Sequence, residues 1–196
     1  MNFKMIRYTI GFILIFEALF MCIPALTALI YSERAIWSWL ICITICLITR
    51  KLLALKKPQN TTLYAKEGYL IVALSWIVLS LFGAFPFIIS GAIPSFIDAL
   101  FETVSGFTTT GSSILSDVES LPRSMLMWRS FSHWVGGMGV LVFIIAFLPL
   151  SGGNNMHLMK AESTGPSVNK IVPRVKKTAI ILYTTTVSET IHLICR

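Results

Sequence analysis

The chain has 196 residues, of which 55% are hydrophobic and only 13% charged. A soluble domain carries about 25% charged residues, and charge-poor apolar runs longer than ~18 residues recur here, so the sequence reads as an all-α integral membrane protein. That excludes a water-facing soluble enzyme, a disordered tail and a disulfide scaffold. It also turns the excess of 16 Lys and Arg over 9 Asp and Glu into a signal of topology rather than of a nucleic-acid partner, and none is expected.

The first apolar run, Tyr8–Tyr31, follows Lys4 and Arg7 and contains Glu17 and Pro24. It is too long for the core of a cleavable signal and no small-x-small pattern closes it, so it is expected to stay as a membrane helix. After a short loop at Glu33 and Arg34, a second span begins near Ala35, with Trp37 and Trp39 as interfacial anchors. It continues towards Leu55, with Arg50 and Lys51 snorkelling. A basic linker (Lys56, Lys57, Pro58, Gln59, Asn60) leads to a third span from Gly68 to Ile89 or Ser90. A fourth covers Met125–Leu150, and a polar stretch, Ser151–Pro173, precedes a last apolar run, Ala179–Cys195.

Loop charges give the orientation. Lys4 and Arg7, then Arg50, Lys51, Lys56, Lys57 and Lys66, then Lys160, Lys170, Arg174, Lys176 and Lys177 would share one side. Only Arg34, Arg123 and Arg129 fall on the other, so the N-terminus is expected in the cytoplasm. Glu33, Asp98, Glu102, Asp117 and Glu119 gather on the outer side, where an acidic mouth would raise the local cation concentration.

The segment Ile93–Ser124 does not span. Ser95 followed by Asp98 is a helix-start signature, with Pro94 just before it. Phe96, Ile97, Leu100, Phe101 and Val104 then repeat at helical spacing, and the helix should end by Gly106. A helix of about eleven residues is ~16 Å long and reaches only halfway through a ~30 Å hydrocarbon core. Both ends of the segment must face outward, which suggests a re-entrant pore loop, the alternative being an outer loop that carries a capped amphipathic helix. Irregular backbone survives at that depth only where it lines a wet cavity or is buried in protein. Thr108-Thr109-Thr110-Gly111-Ser112-Ser113 suits cation coordination: hydroxyls and carbonyls supply oxygen, Gly111 permits positive φ, and the negative end of the helix dipole points at the same spot. A competing register, Thr103-Val104-Ser105-Gly106, is rejected because Ser105 stands where the glycine would be needed and the helix period still covers Thr103 and Val104.

Three strings resemble the Trk/Ktr/HKT superfamily of potassium transporters, most closely TrkH-type subunits. They are Phe101-Glu102-Thr103-Val104-Ser105-Gly106-Phe107-Thr108-Thr109-Thr110-Gly111, Trp134-Val135-Gly136-Gly137-Met138-Gly139, and Ala161-Glu162-x-x-Gly165-Pro166 with Pro173-Arg174. The resemblance implies potassium uptake across the plasma membrane through a pore of four non-identical span–pore loop–span repeats. Carried over, Thr109, Thr110 and Gly111 would be one quarter of the potassium-binding filter, flanked by Thr108 and Ser112. It further implies a homodimer, a cytoplasmic nucleotide-binding regulatory ring, and no cofactor or metal beyond the transported potassium ion. Residues 1–67 would then be two N-terminal helices and their cytoplasmic linker, 68–150 the first repeat, 151–178 a cytoplasmic linker and 179–196 the incomplete start of a second repeat. Only one filter-like loop is present, since Thr184-Thr185-Thr186 lacks a following glycine and falls on the wrong side. The chain therefore reads as an N-terminal fragment unable to enclose a pore alone. The alternatives are a secondary cation transporter with a re-entrant hairpin, or a non-conducting membrane assembly fragment.

Other features read as structural. Gly136-Gly137-Met138-Gly139 sits in an apolar helix with no strand before it, so it is expected to permit close helix packing, with Ser132, rather than to bind a nucleotide. Glu17 is read as a structural polar contact, and Arg129 with His133 as interfacial packing. Cys22, Cys42, Cys46 and Cys195 are read as buried small hydrophobes. No nucleophile–base–acid set points to an enzyme. The topology has a direct test. In an otherwise Cys-free variant, a cysteine at Gln59 or Asn60 should resist an impermeant reagent applied to intact cells, and labelling there would reverse the assignment.

Overall fold

Runs that are apolar on every face form helices whose backbone groups are satisfied internally, as a membrane interior demands. The computed structural model describes residues 3–53, 65–137 and 139. Among these residues every regular element is a helix: α1 (Phe3–Ile30), α2 (Ile36–Leu53), α3 (Ala65–Ile89), α4 (Phe96–Phe107) and α5 (Arg123–Gly137). Three segments are long and apolar enough to cross a membrane: Phe3–Ile30, Ile36–Leu53 and Glu67–Ile89. The 28 residues of α1 extend roughly 42 Å, more than a ~30 Å hydrocarbon core, so its early turns with Lys4 and Arg7 reach into the polar boundary. The fourth expected span begins in α5. Its continuation to Leu150, the linker Ser151–Pro173, the run Ala179–Cys195 and the basic linker around Lys56 and Lys57 lie outside the described residues.

The helix α1 packs most extensively on α2 and also meets α3 and α5, while α4 lies between α3 and α5. Ile13, Leu14, Met21 and Ala28 of α1 are fully buried in this core, whereas Leu26, Leu29, Leu52 and Ile77 face outward as a lipid-contacting surface requires. Trp128 of α5 joins the parts. Its ring meets Trp39 of α2 edge-on at 5.8 Å and Phe107 at the end of α4 at 6.2 Å. Its indole N–H donates to the Gly83 carbonyl of α3 at 2.9 Å, so the one polar group of a buried ring is satisfied. Trp37 is exposed as an interfacial anchor should be, but Trp39 is completely buried against Trp128 and cannot anchor at an interface. Successive side chains of a helix point about 100° apart, so two tryptophans two positions apart face different surroundings.

Glycine sets the spacing of α4 and α5. A Cβ at Gly136 would lie 2.1 Å from the Phe107 carbonyl oxygen, and one at Gly106 would lie 2.2 Å from the Ser132 hydroxyl. The expectation of close packing through Gly136 and Ser132 therefore holds, with the end of α4 as the partner. Of the cysteines, Cys42 and Cys46 are buried, but Cys22 is exposed, and Cys195 lies outside the described residues. A small apolar thiol is tolerated equally in a core and on a lipid-facing surface.

Glu33, in the turn between α1 and α2, accepts hydrogen bonds from the backbone N–H groups of Arg123 and Ser124 at 2.7 and 3.2 Å and from the Ser124 hydroxyl. It thereby caps the first turn of a helix ninety residues away, where a carboxylate is favoured by the unsatisfied N–H groups and the helix dipole. The same contact puts the α1–α2 turn and the segment between α3 and α5 at one end of the bundle. Gly136→Ala should cost about 1–3 kcal/mol, because backbone cannot yield as a side chain can. Gly137→Ala, whose Cβ would meet Thr109 Cγ2 at an ordinary 3.6 Å among the described residues, should change stability by less than about 0.5 kcal/mol. Thermal melting of the two variants in detergent checks the contrast.

Candidate functional site

Ser95 caps α4 with extended backbone, its hydroxyl accepting from the Asp98 N–H at 3.4 Å, as the Ser-x-x-Asp pattern anticipates. The helix has 12 residues and ends at Phe107, one beyond the expected Gly106, so it is roughly 18 Å long and still only half a membrane. Thr103-Val104-Ser105-Gly106 lies wholly inside α4, in keeping with the rejection of that register.

The helix closes in a Schellman cap. The Thr110 N–H donates to the Ser105 carbonyl and the Thr109 N–H to the Gly106 carbonyl, each at 3.0 Å. The left-handed position of that cap, normally a glycine, is held by Thr109 at φ 56°. A β-branched residue there carries local strain. The cap residue Thr108 has φ −84°, Thr109 is positive, Thr110 is not among the positive-φ residues, and Gly111 is positive again at 74°. The sign of φ thus alternates along Thr108–Gly111. A β-strand turns successive carbonyls to opposite sides, whereas alternation between right- and left-handed backbone turns them to the same side.

Thr108, Thr109, Thr110, Gly111 and Ser112 are all brought together on one exposed loop at the C-terminal end of α4. The Thr108 hydroxyl donates to the Val104 carbonyl at 2.7 Å and stands 2.8 Å from that of Thr110, while the Thr109 hydroxyl donates to the Thr108 carbonyl at 2.7 Å. Beyond its chain neighbours, no described atom lies within 4 Å of where a Gly111 Cβ would be. Ser112 differs from its neighbours: its carbonyl accepts from the Ser105 hydroxyl at 2.6 Å and is turned back onto α4.

Glu102 is the residue that the sequence placed differently. Grouped there with the acids of an outer mouth, it is 1% exposed and accepts from the Ser113 hydroxyl, the Ile114 N–H at 2.8 Å and Arg129 Nε at 3.0 Å. Burial alone would raise its carboxyl above the usual range. The hydrogen bonds from Ser113, Arg129 and Ile114 and the guanidinium charge outweigh that and hold it below, so on the non-spanning α4 it stays ionised. Arg129 and His133, expected only to pack, are both bonded: the Arg129 carbonyl lies 2.8 Å from His133 Nδ1. The signal available in the sequence was charge in apolar helices, since Glu and Arg within such helices seldom stand unpaired. Glu17 is fully buried on α1, and neither of its carboxyl oxygens has a hydrogen-bond partner among the described residues, so the polar contact expected of it is not found there. No group of three or more His, Cys, Asp and Glu positioned to hold a metal occurs among the described residues.

Three apolar helices long enough to cross a membrane and a half-length helix, whose C-terminal loop leads on to the start of α5, define an all-α membrane protein. The family model for TrkH, a cation transport protein, matches residues 38–195, and the chain belongs to that family. It is 39% identical over 186 residues to the Trk system potassium uptake protein TrkH of Escherichia coli K12, covering 93% of this chain and 38% of that protein. It is 35% identical to the protein of the same name from Halomonas elongata, covering 93% of this chain and 39% of that one. The crystal structure of the potassium transporter TrkH from Vibrio parahaemolyticus superposes with a TM-score of 0.76 at 31% identity, over 98% of this chain and 38% of that one. The chain therefore spans well under half the length of these relatives. They are named for transport rather than for catalysis, in line with the sequence reading that this is not an enzyme.

The strain at Thr109 is separable from loop chemistry. Thr109→Gly should keep or raise the melting temperature by relieving a left-handed threonine, a conformation that costs roughly 1–2 kcal/mol. Thr108→Gly should lower stability by about 1 kcal/mol or more, through lost backbone restriction and the lost bond to Val104. Equal losses at both positions would contradict the assignment of strain.

Proposed function

We propose that this chain takes part in potassium uptake across the plasma membrane, and that Thr108–Gly111 is one of several loops that together line a cation-selective filter. The observation that carries the reading is the alternating sign of φ from Thr108 to Gly111, on an exposed loop at the C-terminal end of a half-length helix. Successive carbonyls turned to one side replace the hydration shell of a cation, and the helix places its partial negative end beside them. Ser112 flanks this string and ties it down through its carbonyl. The relatives named as potassium uptake proteins support potassium as the transported ion.

The N-terminus is assigned to the cytoplasm and the loop segment to the outside, on the distribution of Lys and Arg. The grouping of the α1–α2 turn with the start of α5 through Glu33 supports that arrangement. Residues 68–150 are taken as one span–pore loop–span repeat, and further loops from the same or other chains would be needed to surround the ion.

The decisive position is Gly111. Space around it is open, so a side chain there acts through φ rather than through a clash. In a whole TrkH subunit carrying this sequence, Gly111→Ser should insert normally and lower the potassium-to-sodium uptake ratio, since a Cβ at positive φ costs roughly 1 kcal/mol or more and tilts the carbonyls. Thr110→Ser, which keeps carbonyl and hydroxyl, should be milder. An ordinary exposed loop would leave the ratio and the potassium affinity of both variants at the parental value.

A further inference from the structure

We infer that Glu102 and Arg129 are positioning residues for cation selection: a part-buried ion pair behind the loop that holds the outgoing limb of the filter string in place. The inference rests on the filter reading above and adds the device that sets the string's shape.

Glu102 sits on α4 one turn before Ser105, so both side chains occupy the same face of the helix. From that face Ser105 bonds the Ser112 carbonyl, and one oxygen of Glu102 takes the Ser113 hydroxyl and the Ile114 N–H. Three consecutive residues immediately after Gly111 are therefore fastened to the helix that precedes the string. The other oxygen of Glu102 takes Arg129 Nε at 3.0 Å, which carries the fastening across to α5. The Ser113 hydroxyl also accepts from the Leu115 N–H at 3.0 Å, so the limb is held beyond the residues that touch Glu102.

Residues 108–114 are exposed among the described residues, so side-chain packing does little to fix the loop. Its incoming limb is set by the Schellman cap and its outgoing limb by Glu102 and Ser105. Gly111 is the free joint between two anchored limbs. Groups that orient the atoms binding an ion, without touching the ion, alter affinity and discrimination by roughly ten-fold or more when removed. The ion pair leaves net charge near the string little changed, because the guanidinium offsets the carboxylate. Its effect is therefore geometric rather than one of drawing in cations.

Glu102→Gln, Arg129→Gln and the double variant separate these possibilities in a whole TrkH subunit carrying this sequence. Glu102→Gln turns an amide N–H towards Arg129, and Arg129→Gln leaves a buried carboxylate without its cation. Each single change should lower the potassium-to-sodium uptake ratio by about ten-fold while maximal uptake per inserted subunit stays near parental. In the double variant two amides can bond to each other, and the ratio should recover towards the parental value. A purely structural pair would instead change the amount of inserted protein and leave the ratio alone.

Ser113→Ala provides the check if the charged variants fail to insert. It removes one bond between the loop and Glu102 without exposing a charge, and it should give a smaller fall in the ratio. An unchanged ratio in Ser113→Ala, or in both Gln variants when inserted, overturns the inference. If Gly111→Ser shifts the ratio in the same assay, the filter reading stands without it. If Gly111→Ser also leaves the ratio unchanged, the filter reading fails and the inference fails with it.

Discussion

A helix of 12 residues is about half as long as one that crosses a membrane, and where it stops its last carbonyls are left without helical donors. Much of the described structure answers that constraint. Val104, Ser105 and Gly106 offer the carbonyls of the final turn, and the backbone N–H groups of Thr108, Thr110 and Thr109 respectively take them up. The chain cannot then run on as a helix, so it turns through left-handed backbone at Thr109 and again at Gly111. The helix end is thus closed by a loop in which the sign of φ alternates from Thr108 to Gly111.

Holding such a loop needs a rigid base, and the base is built from close approach. Gly136 lets α5 pass against the Phe107 carbonyl, and Gly106 lets Ser132 fit against α4. In a membrane, small residues are the ordinary means of bringing helices together, because lipid is as apolar as leucine and burial alone gives little drive. Trp128 adds the lateral connection by touching α2, α3 and the end of α4 at once. Glu33 fixes the start of α5 from the opposite end of the sequence. The outer surface is apolar, while the long-range side-chain bonds cluster around α4 and α5.

The sites differ in how well the sequence revealed them. Ser95, Asp98 and the half-length of α4 were legible because capping and periodicity are local properties. Gly111 was legible because a glycine after three threonines is a strong backbone signal, and its φ is positive as that reading needs. The positive φ of Thr109 was hidden, since a β-branched residue gives no warning of left-handed backbone. Ser112 was grouped with its neighbours because its type resembles theirs, yet its carbonyl turns away from the string. Trp39 read as an interfacial anchor and proved to be core, because indole rings suit both places and only the partner, Trp128, decides between them.

The sequence by itself determined a helical membrane protein, its long apolar spans, the short capped helix, the loop with its glycine and the family to which the chain belongs. These follow from charge density, hydrophobic run length, capping residues and motif strings, which are properties of neighbours along the chain. Only the tertiary structure decided that Glu102 pairs with Arg129, that Glu33 caps α5, and that Gly136 meets the Phe107 carbonyl. Each of those contacts joins residues about thirty to ninety positions apart, and no local periodicity specifies its partner. A charge in a one-dimensional string reads as topology or as a mouth. At Glu102 the same charge is buried in three dimensions, and there Arg129, Ser113 and Ile114 meet the carboxylate.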